Sequence, residues 1–400
     1  MLVRAMFLAI FYGLLCVSAA WAAGTKGDSK ELALVEKRRF SIDNFNTFNG
    51  QSIAKVTVGW ESYGELNADK SNAILITHFF SGNSHAAGKY DASDAKPGYW
   101  DAIIGPNKVI DTNRFFVLSV DTLANAGVHD PNVITTGPAS INPLTNKPYG
   151  LDFPVVTIRD FVNVQKALLD SLGIVRLHAV IGASMGSFQA LDWAVAYPER
   201  VARMVSVIGA GQMDAWSTLS LQHWTTPIML DKAWQDGDYY AKKQQPIAGL
   251  TASLMMITQQ ALHPRFVNRQ HPQHYPLEQA PLQDIRGEHK VVTWLRESAE
   301  TRAKTMDANH VLYLTRASQL FLAGHGESLQ DGLKKVSAKT LFLPASGDLL
   351  LMPYLAHDAY SSLRTQGNNT AYAEIGGDFG HLDGVYSISE QAARLRAFLD

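Results

Sequence analysis

The sequence predicts an α/β fold with a mostly parallel sheet, because two hydrophobic patterns alternate along it. Short runs that are nearly continuous in apolar residues are typical of strands covered on both faces. The clearest predicted strands are 73–76, 115–120, 177–181, 204–208, 340–343 and 371–375. Segments with helical periodicity separate them, for example 161–172 and 188–197. Such alternation favours a parallel sheet with helices on both faces.

The strand pattern stops between residues 212 and 335, where the hydrophobic periodicity is mainly helical. This predicts a helical insertion that forms a lid over the sheet. The predicted organisation is therefore a first part of the core at 23–211, a lid at 212–335 and a second part of the core at 336–400. No internal repeat and no low-complexity tract interrupts it.

Composition and charge exclude several classes of protein. The 400 residues are 46% hydrophobic and 10% aromatic, which is enough to form a large core and argues against disorder or a coiled coil. The 35 Lys and Arg residues nearly balance the 37 Asp and Glu residues, for a net charge of −2. No general electrostatic surface for nucleic acid or anionic membrane is expected.

The first 22 residues have the pattern of a secretory signal peptide. Arg4 precedes an apolar run at 6–17, and small residues then end in Ala20, Trp21 and Ala22. The A-x-A rule predicts cleavage after Ala22, and thus an exported protein, periplasmic or secreted. The alternative is an uncleaved N-terminal anchor. No other stretch approaches the roughly 18 apolar residues of a membrane span, so no membrane insertion is expected after cleavage.

Metal and thiol chemistry are not expected. Cys16 is the only cysteine and lies in the predicted signal peptide, so the mature chain has no thiolate nucleophile and no cysteine zinc site. His271 and His274 lie in a Pro- and His-rich stretch at 263–282, without a helix to present both imidazoles or a nearby carboxylate. We interpret them as exposed loop histidines and predict neither a metal nor a cofactor.

The sharpest local signal is a GxSxG motif made of Gly182, Ser184 and Gly186. It directly follows the predicted strand 177–181 and precedes a helix predicted to begin near Ser187. This context is that of a nucleophile elbow, in which glycines relieve the steric clashes around a strained serine. A helix N-terminus also favours developing negative charge beside the serine. The alternative is a purely structural turn.

A serine nucleophile needs a base, and the expected chain order in this setting is serine, acid, histidine. Asp348 follows the predicted strand 340–343, and His381 follows the predicted strand 371–375. Because strand ends converge at one edge of a parallel sheet, both are expected near Ser184. A merely structural role for His381 is the alternative.

Other titratable residues compete for these roles. His357 lies in a predicted helix, and His325 comes before the last two predicted strands, so both are weaker candidates for the base. Asp378 is interpreted as a turn residue, and Asp383 is the other nearby acidic candidate.

An oxyanion hole is the third requirement, and main-chain N–H groups usually form it. Met185 follows the serine and supplies one N–H group. The predicted strand 73–76 leads to Phe80, whose backbone is the expected second donor. Phe79 and Phe80 also have a simpler interpretation as walls of a substrate pocket, and the two roles are compatible.

Long strings beyond this motif resemble the homoserine O-acetyltransferase family of α/β-hydrolases over nearly all of the mature chain. They include GWESYGELNADKSNAILITH, GPNKVIDTNRFFVLSVDTL, GASMGSFQALDWAVAYPERV, DGDYY and MDANHVLYLTRA. The resemblance implies an α/β-hydrolase fold, an acyl-enzyme mechanism with Ser184, Asp348 and His381 as the triad, a helical lid, and a possible homodimer through that lid.

Two departures from the family pattern bear on the substrate. The family's lid motif, roughly GLxxARM, has an arginine for the homoserine carboxylate where this chain has Leu254. The family also commonly has an aspartate directly after the catalytic histidine, where this chain has Leu382, with Asp383 one position later. An unpaired buried carboxylate is costly, so homoserine is not the expected substrate. Phe79, Leu254 and Leu382 are therefore candidates for an apolar substrate pocket.

Export favours hydrolysis over transfer, because acetyl-CoA is a cytoplasmic metabolite and water is the most available acceptor outside. The leading hypothesis is a serine-nucleophile esterase acting on a small-molecule ester or acyl substrate. One alternative is acyl transfer to a small hydroxyl or amine acceptor. An alternative of another class is a catalytically silent binding protein that keeps the fold.

Overall fold

A computed structural model describes residues 32–242, 244–272 and 278–400. The predicted signal peptide, Cys16 and His274 lie outside these residues. An eight-stranded sheet runs through the described chain. Its strands are β1 (Arg38–Asn46), β2 (Ser52–Tyr63), β3 (Ala73–Thr77), β4 (Phe116–Val120), β5 (Ala179–Ala183), β6 (Arg203–Val207), β7 (Lys339–Leu343) and β8 (Thr370–Tyr372).

The strand order in the sheet is β1-β2-β4-β3-β5-β6-β7-β8. In this sheet order, every pair of neighbouring strands from β4 onward is parallel. Only β1 with β2 and β2 with β4 are antiparallel. This confirms the predicted class of a mostly parallel α/β sheet. Two further pairs of two-residue strands lie outside it, Ile104–Gly105 with Ile110–Asp111 and Ile141–Asn142 with Lys147–Pro148.

The helices follow the strands as the periodicity predicts. Before β7 they are α1 (Ile158–Ser171), α2 (Met185–Ala196), α3 (Ala215–Leu230), α4 (Ile247–Ala261), α5 (Pro264–Gln270), α6 (Gln279–Gln283), α7 (Lys290–Ala303), α8 (Ala308–Gln319) and α9 (Leu329–Leu333). After β7 they are α10 (Pro353–Thr365), α11 (Asp383–Tyr386) and α12 (Ala392–Leu399). None of the helices in the described ranges is long and apolar enough to cross a membrane.

Both faces of the sheet are covered, as the apolar strands require. All five residues of β3 are buried. Leu75 packs in one hydrophobic cluster with Phe161 of α1, whereas its neighbour Ile74 packs in a second cluster with Leu395 of α12. Successive side chains of a strand point to opposite faces, so each face of the sheet has its own core.

The sequence-based boundaries differ from the structure in three main respects. β8 ends at Tyr372 rather than 375, and Ile375 makes only an isolated bridge with Ala345. β1 and β2 were absent from the predicted strands, because β1 forms an outer strand whose residues are mostly exposed and interleaved with polar ones. β5 ends at Ala183 rather than 181, so the strand continues into the GxSxG motif and α2 begins already at Met185. Leu177 makes only an isolated bridge with Val201.

The described part of residues 212–335 contains α3 to α9 and no strand of the sheet. One isolated antiparallel bridge joins Gln212 and Leu322 at its two ends. The described part of this segment is thus mainly helical. Its role as a lid stays a prediction.

A buried ion pair joins the two helices that flank the sheet near the GxSxG motif. Arg159 of α1 donates two hydrogen bonds to Asp192 of α2, at 2.6 and 2.9 Å. The side chain of Asp192 is fully buried and that of Arg159 is 17% exposed. Because the geometry is bidentate, loss of one partner leaves the other charge buried without compensation.

We expect Asp192→Ala to lower the free energy of unfolding by about 3 kcal/mol or more. Urea unfolding of the purified variant measures this. Lys166→Ala is the matched control, because it breaks the exposed pair with Asp170 and should cost less than about 1 kcal/mol. Equal losses in the two variants would contradict the assignment of Asp192 to a buried, stability-determining pair.

Candidate active site

Ser184 occupies a strained turn between β5 and α2. Its backbone has φ 56° and ψ −123°, a conformation that costs a non-glycine residue about 1–3 kcal/mol. The turn is possible because backbones approach closely at both glycines of the motif. A Cβ atom at Gly182 would lie 2.1 Å from the carbonyl oxygen of Gly186, and one at Gly186 would lie 2.0 Å from that of Thr77. Only glycine fits at either position.

The structure brings the three predicted side chains together in one hydrogen-bonded chain. The Ser184 Oγ lies 2.8 Å from His381 Nε2, and His381 Nδ1 lies 2.6 Å from Asp348 Oδ2. All three residues are buried. A neutral imidazole that donates from Nδ1 to the carboxylate accepts the serine proton at Nε2, which is the tautomer a general base needs.

The carboxylate of Asp348 is fixed by the backbone of its own loop. Its Oδ1 accepts hydrogen bonds from the N–H groups of Leu350 and Leu351, at 2.8 and 2.9 Å. Oδ2 is thereby left to face His381. The loop after β7 thus orients the carboxylate toward the imidazole before any substrate binds.

The competing candidates lie in other contacts. His325 packs on the ring of Phe48 at 4.3 Å, and the ring of His357 packs against Tyr372 at 5.5 Å. Asp378 lies in a bend, as interpreted from the sequence, and pairs with Arg269 at 2.6 Å.

Asp383 supports the turn that carries His381. Its carboxylate accepts hydrogen bonds from the N–H groups of Phe379 and Gly380, at 3.1 and 2.9 Å, and from the Ser387 hydroxyl at 2.6 Å. Burial raises the pKa of Asp383, and these three hydrogen bonds oppose that shift. Sequence reasoning named Asp383 only as a rival acid, although its spacing to Ser387 is that of a local helical contact.

The two predicted oxyanion-hole donors have free N–H groups. Met185 is the first residue of α2, so its N–H has no carbonyl of a preceding helical turn to bind. The N–H of Phe80 donates to no group within the described ranges. The side chains of Phe79 and Phe80 have different neighbours. The ring of Phe79 packs on Tyr99 at 5.0 Å, and that of Phe80 packs on Trp224 at 5.5 Å.

A network that sequence reasoning missed holds the segment that follows β3, residues 78–86, which we call the β3 loop. The N–H of Ser84 donates to Asp121 at 2.7 Å, and the side-chain amide of Asn125 donates to the carbonyl of Gly82 at 2.9 Å. His78 accepts a hydrogen bond from the N–H of Thr122 at Nε2, at 3.1 Å. These contacts fix the backbone on both sides of Phe80.

The charges behind this loop are buried. Lys37 Nζ lies 2.9 Å from Glu61 and 3.3 Å from Asp121, and both carboxylates are inaccessible to solvent. His85 in the β3 loop lies 2.9 Å from Glu61. Burial alone would raise the pKa of Glu61, but the contacts with His85 and Lys37 outweigh it and lower the pKa to about 2. Lys37, Glu61 and Asp121 are spread over 85 positions, so no local sequence pattern predicts that they meet.

Two of the substrate-pocket candidates, Leu254 and Leu382, differ in how deeply they are buried. Leu254 is fully buried in the main hydrophobic cluster, and Leu382 is half-buried in the turn of His381. An arginine at the place of Leu254 would enter an apolar environment.

Metal binding finds no support in the described ranges, where no group of three His, Cys, Asp or Glu residues could hold an ion. His271, one of the two predicted loop histidines, packs against the ring of Trp294 at 4.7 Å.

Comparison with known proteins gives consistent family matches. The α/β-hydrolase fold family matches residues 99–377. The homoserine O-acetyltransferase of Geobacter sulfurreducens is 36% identical over 359 residues, which cover 88% of this chain and 93% of that protein. The homoserine O-acetyltransferase of Methanococcoides burtonii is 37% identical over 343 residues, which cover 84% of this chain and 68% of that protein.

Two crystal structures are also closely similar. Esterase E22 is 62% identical with a TM-score of 0.90, covering 92% of this chain and 100% of that one. The homoserine O-acetyltransferase of Bacillus anthracis is 37% identical with a TM-score of 0.89, covering 92% of this chain and 98% of that one.

We expect the buried Glu61 to make stability depend on pH. Its pKa is about 2 in the folded state, against an ordinary value of 4.5, so its contribution is complete above pH 4.5 and is lost as the pH falls toward 2. Wild-type protein should lose about 2 kcal/mol between pH 5 and pH 3 through this group, measured by urea unfolding.

Glu61→Gln should be less stable at pH 6 and should lack this share of the pH dependence. Glu65→Gln, at an exposed position of the same segment, is the matched control and should keep the wild-type profile. A Glu61→Gln protein with the full wild-type slope would refute the role of this carboxylate.

Proposed function

Because the chain belongs to the homoserine O-acetyltransferase family of α/β-hydrolases, we propose that it is a serine esterase that forms an acyl-enzyme on Ser184. The observation that carries this proposal is the continuous hydrogen-bonded chain from Ser184 through His381 to Asp348, at 2.8 and 2.6 Å. A structural histidine has no need of such an alignment with a strained serine.

In the proposed acylation step, the Ser184 Oγ attacks the ester carbonyl while its proton passes to Nε2 of His381. The tetrahedral intermediate then collapses, the bond to the alcohol oxygen breaks, and the proton moves from His381 to that oxygen. Asp348 stays ionised and stabilises the imidazolium through the 2.6 Å contact. In deacylation, water gives its proton to His381 and attacks the acyl carbonyl, and Ser184 recovers its proton.

The negative oxygen of each tetrahedral intermediate requires fixed donors. We assign this role to the N–H groups of Met185 and Phe80, which are free in the described structure. The position of Met185 at the N-terminus of α2 adds the favourable end of the helix dipole. The buried charges behind the β3 loop hold Phe80 in place, so this hole is preorganised.

The proposal of hydrolysis instead of homoserine acetylation rests on the chain's own residues. Leu254 and Leu382 replace the two ionic groups that the family resemblance associates with homoserine. Export, which we propose from the pattern of residues 1–22, would also separate the enzyme from acetyl-CoA. The 62% identity to a protein described as an esterase supports the same choice.

Acyl transfer to a small hydroxyl or amine acceptor is the second candidate function. It is favoured by the 34–38% identity to proteins named homoserine O-acetyltransferase. Both functions pass through the same acyl-enzyme, and they differ only in the nucleophile that attacks it. Small-molecule substrates are proposed in either case, and the homodimer through the helical segment stays a prediction.

We expect a fluorophosphonate probe to label the wild-type protein and to leave Ser184→Ala unlabelled, because only an activated serine reacts with it. Intact-mass spectrometry measures the adduct. Ser337→Ala, at an exposed serine, is the control and should label fully. Asp348→Asn should lower kcat on 4-nitrophenyl acetate by about three to four orders of magnitude.

An unlabelled wild-type protein without turnover on any ester would contradict the proposal and favour a silent binding protein. The circular dichroism spectrum of each variant checks that it is folded.

We expect the acyl group of 4-nitrophenyl acetate to appear as free acetate even when homoserine, ethanol or a primary amine is added. Acetate and acetylated acceptor are measured by mass spectrometry, and acetyl-CoA is tested as a second acyl donor. Predominant formation of an O- or N-acetyl product would overturn hydrolysis in favour of transfer.

A further inference from the structure

Arg302, at the C-terminal end of α7, reaches across to α4. Its Nη1 donates a hydrogen bond of 2.7 Å to the hydroxyl of Thr258. That hydroxyl itself donates to the carbonyl of Leu254, also at 2.7 Å, so its lone pair is free to accept from the guanidinium. The guanidinium of Arg302 is therefore held against α4, one helical turn beyond Leu254.

This guanidinium lacks a carboxylate partner, in contrast to several other arginines of the described structure. Arg159, Arg200, Arg269 and Arg296 each pair with an Asp or Glu at 2.6–3.0 Å. Throughout the described ranges, no carboxylate oxygen lies within 4.0 Å of Arg302. Burial lowers the pKa of Arg302, and only the nearby Tyr386 opposes this shift. An incompletely compensated cation is costly unless a ligand supplies the opposite charge.

The unused donors of Arg302 remain open to a ligand. A guanidinium has five N–H groups in a fixed fork, and one of them is engaged by Thr258. Arg302 as a whole is half-buried, and none of its nitrogens belongs to the buried atoms of the described structure that lack partners. The free donors thus keep some accessible surface, and the partial burial of the side chain strengthens any ionic contact that they make.

The guanidinium lies near the segment that carries His381. Burial raises the pKa of Tyr386, and the positive charge of Arg302 opposes this shift. Tyr386 is the last residue of α11, which begins two residues after His381. The ring of Tyr386 lies 5.5 Å from that of Phe379. On the other side, α4 reaches the same turn, since a Cβ at Gly380 would lie 3.3 Å from the carbonyl of Ala261. Arg302 is thus bonded to α4, the helix that also packs against the histidine-bearing turn.

We propose that Arg302 forms an anion-binding subsite beside the Ser184–His381 pair and selects ester substrates that carry a carboxylate. This inference rests on the proposed esterase function and names its substrate class. A carboxylate fits better than a phosphate monoester, because the single charge of the guanidinium matches a monoanion. The fork of the guanidinium also matches the two carboxylate oxygens.

The test compares esters that differ only in charge. For an anion on the alcohol side, 4-acetoxybenzoate is paired with its neutral isostere 4-acetoxybenzamide. For an anion on the acyl side, monoethyl adipate is paired with the corresponding ethyl ester amide. We expect the wild-type enzyme to favour the anionic member of one pair, and Arg302→Gln to lower kcat/KM for that member by about tenfold to a hundredfold. Its activity on 4-nitrophenyl acetate should change little.

Two controls separate a specific contact from a general loss of charge or of folding. Arg302→Lys should retain a large part of the preference, because it keeps the positive charge. Arg316→Gln removes the same charge from an exposed position of α8 and should leave the preference intact. The salt dependence of kcat/KM is a second readout. Added salt should lower kcat/KM of the wild-type enzyme for the anionic substrate more than for the neutral one, and this difference should be absent in Arg302→Gln.

The outcomes distinguish this inference from the proposed function. If neutral esters are hydrolysed but no variant alters an anionic preference, or none exists in either pair, the subsite is refuted and the esterase function stands. If Arg302→Gln unfolds, Arg302→Met and the salt dependence of wild type decide the question instead. If no ester is hydrolysed and Ser184 is unlabelled, the proposed function itself fails.

Discussion

The site depends on one steric constraint, the contact of β3, β5 and α2 at the strained serine turn. Gly182 and Gly186 lie so close to neighbouring backbone that a single Cβ atom at either would overlap a carbonyl or hydroxyl oxygen. Because α2 approaches the sheet this closely, Ser184 is raised at the end of β5 with its oxygen toward the imidazole. The strain at Ser184 persists because the packed sheet and helix around it leave no relaxed alternative.

Buried polar groups then define the surroundings of the serine. On one side, the network of Lys37, Glu61 and Asp121 fixes the β3 loop with its free N–H group. On the other side, Asp383 fixes the turn of His381 through backbone N–H groups. Each network is nearly fully hydrogen-bonded, which makes it rigid and keeps the cost of burying charge low. The serine and histidine are thus held from two independent directions.

Sequence reasoning was effective where function requires local geometry. The GxSxG motif and the positions of Asp348 and His381 after late strands sufficed to predict which side chains meet, because strand ends converge at one edge of a parallel sheet. It failed at β1 and β2, whose polar residues hide the strand pattern, and at contacts between distant residues. Lys37 with Glu61, and Arg302 with Thr258, meet only through the tertiary fold.

The spread of this machinery along the chain has a consequence for biosynthesis. Lys37 and Ser184 both precede His381 along the chain, Ser184 by 197 positions. A growing polypeptide therefore contains Ser184 long before His381 and its supporting turn have left the ribosome. Newly made molecules therefore cannot assemble the contact between Ser184 and His381 until the segment that carries His381 has been made, and any product that terminates before residue 381 lacks the imidazole of this contact.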